Sequence, residues 1–97
     1  MTRIPTHPGA LLREDVLPAL RMSVSAAAQA LGVSRQMLHR ILAEKSPITA
    51  EMAVRLGKFC GDGPDIWMRM QAAHDVAKAT AAMAKIVKRI PTARPAA

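Results

Sequence analysis

Residues 23–41 spell out two short helices joined by a tight turn, and no other stretch restricts the fold as much. Ser23 suits a helix N-cap, because its hydroxyl can accept a hydrogen bond from an unpartnered backbone N–H. A helix over about residues 24–31 follows, with Ala27, Ala28 and Leu31 on its inner stripe. Gly32 stands where a left-handed residue ends such a helix without steric cost. Val33 then fills the gap between the helices, and Ser34 caps a second helix over about residues 35–43. Leu38, Ile41 and Leu42 carry its apolar spacing. Ala27 has to be small for the two helices to approach. Any helical hairpin would meet some of these requirements. Meeting all of them points to a helix-turn-helix.

The rest of the chain reads as support for that pair. Pro8 suits a first helical turn, where its missing N–H would have had no partner. The first helix is expected over residues 8–16, with Leu11, Leu12 and Val16 inward and Pro18 as its stop. Ser46-Pro47 marks a turn. Thr49 caps a fourth helix over residues 50–60, with Met52, Ala53, Leu56 and Phe59 inward and Gly61-Asp62-Gly63 at its end. Pro64 opens a fifth. There Ile66, Trp67, Met70, Ala73, Ala77, Ala81, Ala84 and Val87 recur three or four apart. That helix could run to about Ile90, roughly 40 Å at about 1.5 Å per residue, or break near Lys78. Trp67 either docks it on the core or anchors an interface. The small residues from Ala73 to Ala84 either let a second helix come close or reflect plain helix propensity.

Composition agrees with an all-α class. Of the 97 residues 51% are hydrophobic, but the only aromatics are Phe59 and Trp67. The apolar content is mostly Ala, Leu and Met, which favour helices, with no β-branched runs. The reading is one five-helix unit with an extended C-terminal helix. Residues 1–6 form a loose arm, 7–77 the domain with the motif at about 23–43, and 78–97 a basic helical extension ending in a disordered tail.

The net charge is +7, and its distribution matters more than its total. Residues 35–58 carry +3, residues 59–75 carry −2, and residues 76–97 carry +5 with no acid. A basic excess inside the motif favours a nucleic-acid partner. The tail is either a second anion-binding element or a solubilising segment. Cys60 is the only cysteine, so no intrachain disulfide forms and a reducing cytoplasm fits. The three His residues are far apart and show no ligand spacing, so no metal or cofactor is expected. No apolar run approaches the ~20 residues of a membrane span, and no signal-peptide pattern appears. Paired carboxylates, an activated nucleophile and a Gly-rich phosphate loop are absent, which argues against an enzyme.

With Leu38 and Ile41 inward, Arg35, Gln36, His39 and Arg40 must point outward. Arg donates bidentately to guanine and Gln pairs with adenine. Recognition helices present their N-terminal residues to bases, which favours Arg35 and Gln36, with Arg40 one turn on. His39 meets a base or a phosphate, or is merely solvated. Met37 lies at the edge, beside a thymine methyl or partly buried. Expected phosphate contacts are Ser23, Ser34, Lys45, Ser46 and Thr49 around the helix ends. Arg55 and Lys58 are weaker candidates on a face that would carry charge anyway.

These residues resemble the HigA-type antitoxins, a branch of the Cro/C1 (XRE-like) helix-turn-helix proteins. The matching pieces are His7-Pro8-Gly9, Ala30-Leu31-Gly32-Val33-Ser34-Arg35, Ile48-Thr49-Ala50-Glu51-Met52-Ala53 and Pro64-Asp65-Ile66-Trp67, followed by Gln71-Ala72 and Asp75. The resemblance covers about residues 7–77. It implies five helices, a homodimer joined through the C-terminal helix and a palindromic operator in the protein's own promoter. It also implies a HigB toxin partner, an mRNA-cleaving ribonuclease of RelE-like class. By position it matches Arg35, Gln36 and Arg40 to base reading, and Ser23 and Lys45 to phosphate contacts. Ile66, Met70, Ala73, Ala77 and Ala81 are the expected dimer seam. Two departures stand out. Val24 replaces a Gln that often contacts phosphate in the family, and Ala43-Glu44-Lys45 replaces Asn-Gly-Lys or Asn-Gly-Arg. Both weaken the expected phosphate grip. A free-standing repressor of the same fold, without a toxin, is the alternative. An adaptor that has lost DNA binding would show an acidic or apolar outer face instead.

Overall fold

The computed structural model describes residues 4–95, and these are all helix, turn or loop. His7 starts the first helix. Its Nδ1 accepts a hydrogen bond from the Gly9 N–H at 2.9 Å, and Pro8 occupies the first position of α1 (Pro8–Leu11). The chain does not stop before Pro18 as the sequence suggests. A wider π-type turn, Leu12–Val16, leads straight into α2 (Leu17–Leu20), and the junction residues stay right-handed. Pro18 then falls in the first turn of α2, directly after the wider π-type turn, which makes room for its ring. The rod ends at Arg21, which is left-handed at φ 54°. This continuation buries Leu17, a core residue the expected stop would have excluded.

The helical pair forms as expected. α3 spans Val24–Leu31 and α4 spans Arg35–Leu42. Gly32 adopts φ 73° between them. α5 runs Ala50–Cys60 and ends at a left-handed Gly61. Ala27, Ala28, Leu31, Leu38, Ile41 and Leu42 join Leu12, Met52, Ala53 and Leu56 in one core. Phe59 packs against it half-buried.

α6 (Asp65–Ala82) docks through two residues. Trp67 is 1% exposed, and its Nε1 donates to Asp62 Oδ1 at 3.0 Å. Trp67 is thus a core residue, with its one polar atom satisfied. Gln71 is also buried. Its Oε1 accepts from the Ile48 N–H at 2.7 Å, and its Nε2 donates to Asp75 Oδ1 at 3.0 Å. The break in the C-terminal helix falls at Met83 rather than Lys78, before the short α7 (Ala84–Val87). Residues 91–95 are exposed and not helical, whereas 96–97 of the expected tail lie outside the described residues. Residues 1–3 of the expected arm do too. Pro5 is held, since its carbonyl accepts from His74 Nδ1 at 2.7 Å. Among the described residues no helix is long and apolar enough to cross a membrane.

His7 links this docking to pH. It is buried and meets the His74 ring edge-on, with centroids 5.0 Å apart. Burial, and next the neighbouring His74, push its pKa below the ordinary histidine range. The folded state therefore favours neutral His7. The associated stability is present above the unfolded value of about 6.5 and is lost as pH falls below it toward the lower folded value. Denaturant midpoints should drop on acidification through that window. His7→Asn keeps a capping oxygen but cannot titrate there, so it should flatten this part of the profile. An unchanged profile would refute the assignment.

Candidate nucleic-acid interface

α4 is fixed by what it buries. Leu38 and Ile41 are each 1% exposed, which leaves Arg35, Gln36, His39 and Arg40 on the solvent side. The structure brings these four expected residues together on one face. Met37 joins them at 46% exposed, more open than the partial burial the pattern allows.

The two arginines are steered by hydroxyls. Arg35 Nη1 lies 3.4 Å from Ser25 Oγ. Arg40 Nε donates to Ser46 Oγ at 3.0 Å, while the Arg40 carbonyl accepts from the N–H groups of Lys45 at 2.9 Å and Ser46 at 3.3 Å. The loop after α4 is therefore folded back onto Arg40. With Nε engaged, the two terminal nitrogens of Arg40 remain for an end-on ligand, the arrangement that suits paired acceptors on a guanine edge.

The expected phosphate set divides by role. Ser23, Ser34 and Thr49 are N-caps whose hydroxyl oxygens accept from Ala26, Met37 and Met52 N–H groups at 3.1, 3.0 and 3.2 Å. Each hydroxyl keeps its own hydrogen for donation. Lys45 is exposed and Ser46 half-exposed in the loop. Val24 is half-buried against the core, so that position serves packing. Arg55 is placed differently from the phosphate role considered for it. Its Nη1 donates to the Leu31 and Gly32 carbonyls at 2.9 and 3.4 Å, closing the C-terminus of α3.

Glu44 takes the left-handed conformation, φ 62°, at the place where the resembling family has Gly. Its charge faces Arg13, whose Nη1 lies 3.4 Å from Glu44 Oε2 and donates to the Leu42 carbonyl at 2.6 Å. Sequence reasoning missed Arg13, because its partners are 29 and 31 residues away and no local pattern announces them. It also missed the second polar tie, Gln71 to Ile48. Cys60 is half-buried, and burial raises its thiol pKa, which opposes reactivity.

The dimer set is split by the orientation of α6. Trp67 and Gln71 define its buried face, with Met70 and Ala77 half-buried beside them. Ile66, Ala73 and Ala81 are exposed.

The helix-turn-helix family model matches residues 12–66, from the π-type turn to the start of α6. The structure of a Pseudomonas aeruginosa HigA antitoxin with the higBA promoter is 34% identical, with a TM-score of 0.86 over 94% of this chain and 99% of that one. The chain belongs to the Cro/C1-type helix-turn-helix family. Members of this family are DNA-binding regulators and antitoxins rather than enzymes. Sequence relatives of this Cro/C1-type protein include virulence-associated protein I of Dichelobacter nodosus, 40% identical over 72% of this chain and 65% of that protein. An uncharacterized HTH-type transcriptional regulator of Haemophilus influenzae is 40% identical over 78% of this chain and 71% of its own length. The span matched by the family model contains α3 and α4, the two helices joined at Gly32.

Proposed function

We propose that this chain is a cytoplasmic operator-binding antitoxin that represses its own promoter and neutralises a HigB/RelE-like mRNA-cleaving toxin. The observation that carries the DNA part is the α4 face. Arg35, Gln36, His39 and Arg40 stand together in solvent on a helix seated by Leu38 and Ile41. Arg35, Gln36 and Arg40 read bases, and His39 lies at the edge of that contact. Lys45 and Ser46 hold backbone phosphate, as do the capped helix ends at Ser23, Ser34 and Thr49. The promoter-bound HigA neighbour supports operator binding. The protein works as a homodimer on a palindromic operator with half-sites about one helical turn, roughly 34–36 Å, apart. Ile66, Ala73 and Ala81 form the exposed part of the seam, and Met70 and Ala77 back it from the core side.

Footprinting on the DNA upstream of the protein's own gene tests the first half. One protected palindrome is expected, and no protection above random sequence would remove the claim. Co-expression with the neighbouring gene product tests the second. The two proteins should co-purify, and the partner's ribonuclease activity should be suppressed at equimolar ratio. The second reading is a free-standing repressor, favoured by the transcriptional regulator among the relatives. Operator protection without any such partner would decide for it.

A further inference from the structure

Beside the recognition helix lies a cleft of about 260 Å³ that the helix-turn-helix alone does not account for. One wall is the loop after α4, with Lys45 and Ser46. The other is α6, with His74, Asp75 and Lys78. The cleft contains two acids and two lysines, so its sign depends on which charges are already engaged. Glu44 is taken by Arg13 at 3.4 Å. Asp75 accepts from the neutral Gln71 Nε2 at 3.0 Å and keeps its charge, so two lysines stand against one uncompensated acid. Lys45 and Lys78 pair with no carboxylate within 4.0 Å among the described residues. Two ammonium groups without an ion-pair partner therefore line one polar cleft, together with Ser46. Ser46 Oγ accepts from Arg40 Nε, so its hydrogen is free to donate. Both walls are fixed in place. Gln71 ties α6 to Ile48 at the far end of the loop, and the Arg40 carbonyl holds the N–H groups of Lys45 and Ser46.

We propose that this cleft is a composite phosphate site, in which Lys78 of α6 joins Lys45 and Ser46 to grip a backbone phosphate of bound DNA. The inference rests on the DNA-binding reading above and extends it. The grip is not confined to the helix-turn-helix, and α6 contributes a cation to it. Ser46 connects the site to Arg40, so the same loop that steers a base reader also holds the strand. This arrangement offsets the loss of the expected Gln at position 24 and Asn at position 43.

The test is a salt series. Fluorescence anisotropy is measured with the full chain on an operator duplex and a random duplex. The slope of log affinity against log salt falls by about 0.9 for each phosphate contact removed from B-form DNA. K78Q should reduce the slope by about that amount on both duplexes while leaving the ratio of operator to random affinity unchanged. K78R should restore it. K85Q, which removes an exposed lysine beyond the cleft, controls for net charge. A K85Q effect equal to that of K78Q overturns the site, as does an unchanged slope in a folded K78Q. Weakened capture of a protein partner with an unchanged salt slope would show that the cleft serves an acidic peptide instead, and would also overturn it. If the wild type shows no operator preference, the repressor reading fails. The K78Q slope on random duplex still judges the cleft.

Discussion

Replacing Arg35 and Arg40 together with Ala is expected to cost about 2–6 kcal/mol of operator binding, at about 1–3 kcal/mol for each base-reading contact. That is roughly 30-fold at the low end and above 10⁴-fold at the high end. Affinity for random duplex should change far less, because base contacts carry sequence information and phosphate contacts do not. The two sites are separated by about 7.5 Å along α4, so the single losses should add to within about 0.5 kcal/mol. Both residues are exposed and neither supports the core. Thermal stability should therefore be nearly unchanged. The measurement is a pair of binding isotherms, operator and random, for each single variant and the double. Equal loss on both duplexes would show that these arginines grip the backbone rather than read bases.

Gly9→Ala should be among the most damaging small substitutions in the protein. A Cβ at Gly9 would overlap the Ile41 carbonyl oxygen, because α1 crosses α4 backbone to backbone. Overpacking of a core typically costs about 1–3 kcal/mol, and more when the obstacle cannot rotate away. The obstacle here is main chain, so a loss of about 3 kcal/mol or more is expected. For a domain of this size that lowers Tm by roughly 12 °C or more. Gly61→Ala is the control. A Cβ there meets nothing within 4 Å, so only the left-handed backbone, φ 81°, resists it, at about 1–2 kcal/mol. Calorimetry on the two variants should rank them clearly. If Gly9→Ala is as mild as Gly61→Ala, α1 does not approach α4 that closely. Because Ile41 helps seat the recognition helix, a folded Gly9→Ala should also bind operator less well.

The helical pair was legible because its rules are local. Caps at Ser23 and Ser34, positive φ at Gly32 and apolar spacing at Leu38 and Ile41 all act within a few residues, and each appears where expected. The outward set of Arg35, Gln36, His39 and Arg40 followed from the same spacing. What the sequence hid depends on distant partners or on an unusual register. Pro18 read as a stop because the π-type turn that makes room for it has no simple signature. The roles of Arg13 and Gln71 depend on partners far along the chain, Leu42 and Ile48, which only the fold brings to them. Arg55 was only a weaker phosphate candidate, and its Nη1 donates to the carbonyls of Leu31 and Gly32. Gly9 matched the family pattern, but its reason, contact with Ile41, is purely tertiary.

The loop between α4 and α5 has one further consequence. Its backbone is fastened at both ends, by the Arg40 carbonyl on Lys45 and Ser46 and by Gln71 on Ile48. A strand-gripping loop that is slack before binding must surrender backbone freedom on contact, at about 1–2 kcal/mol for each residue frozen. This one has already surrendered it during folding. Little of its attraction for a phosphate is then consumed by ordering, so association need not wait on a rearrangement of the loop.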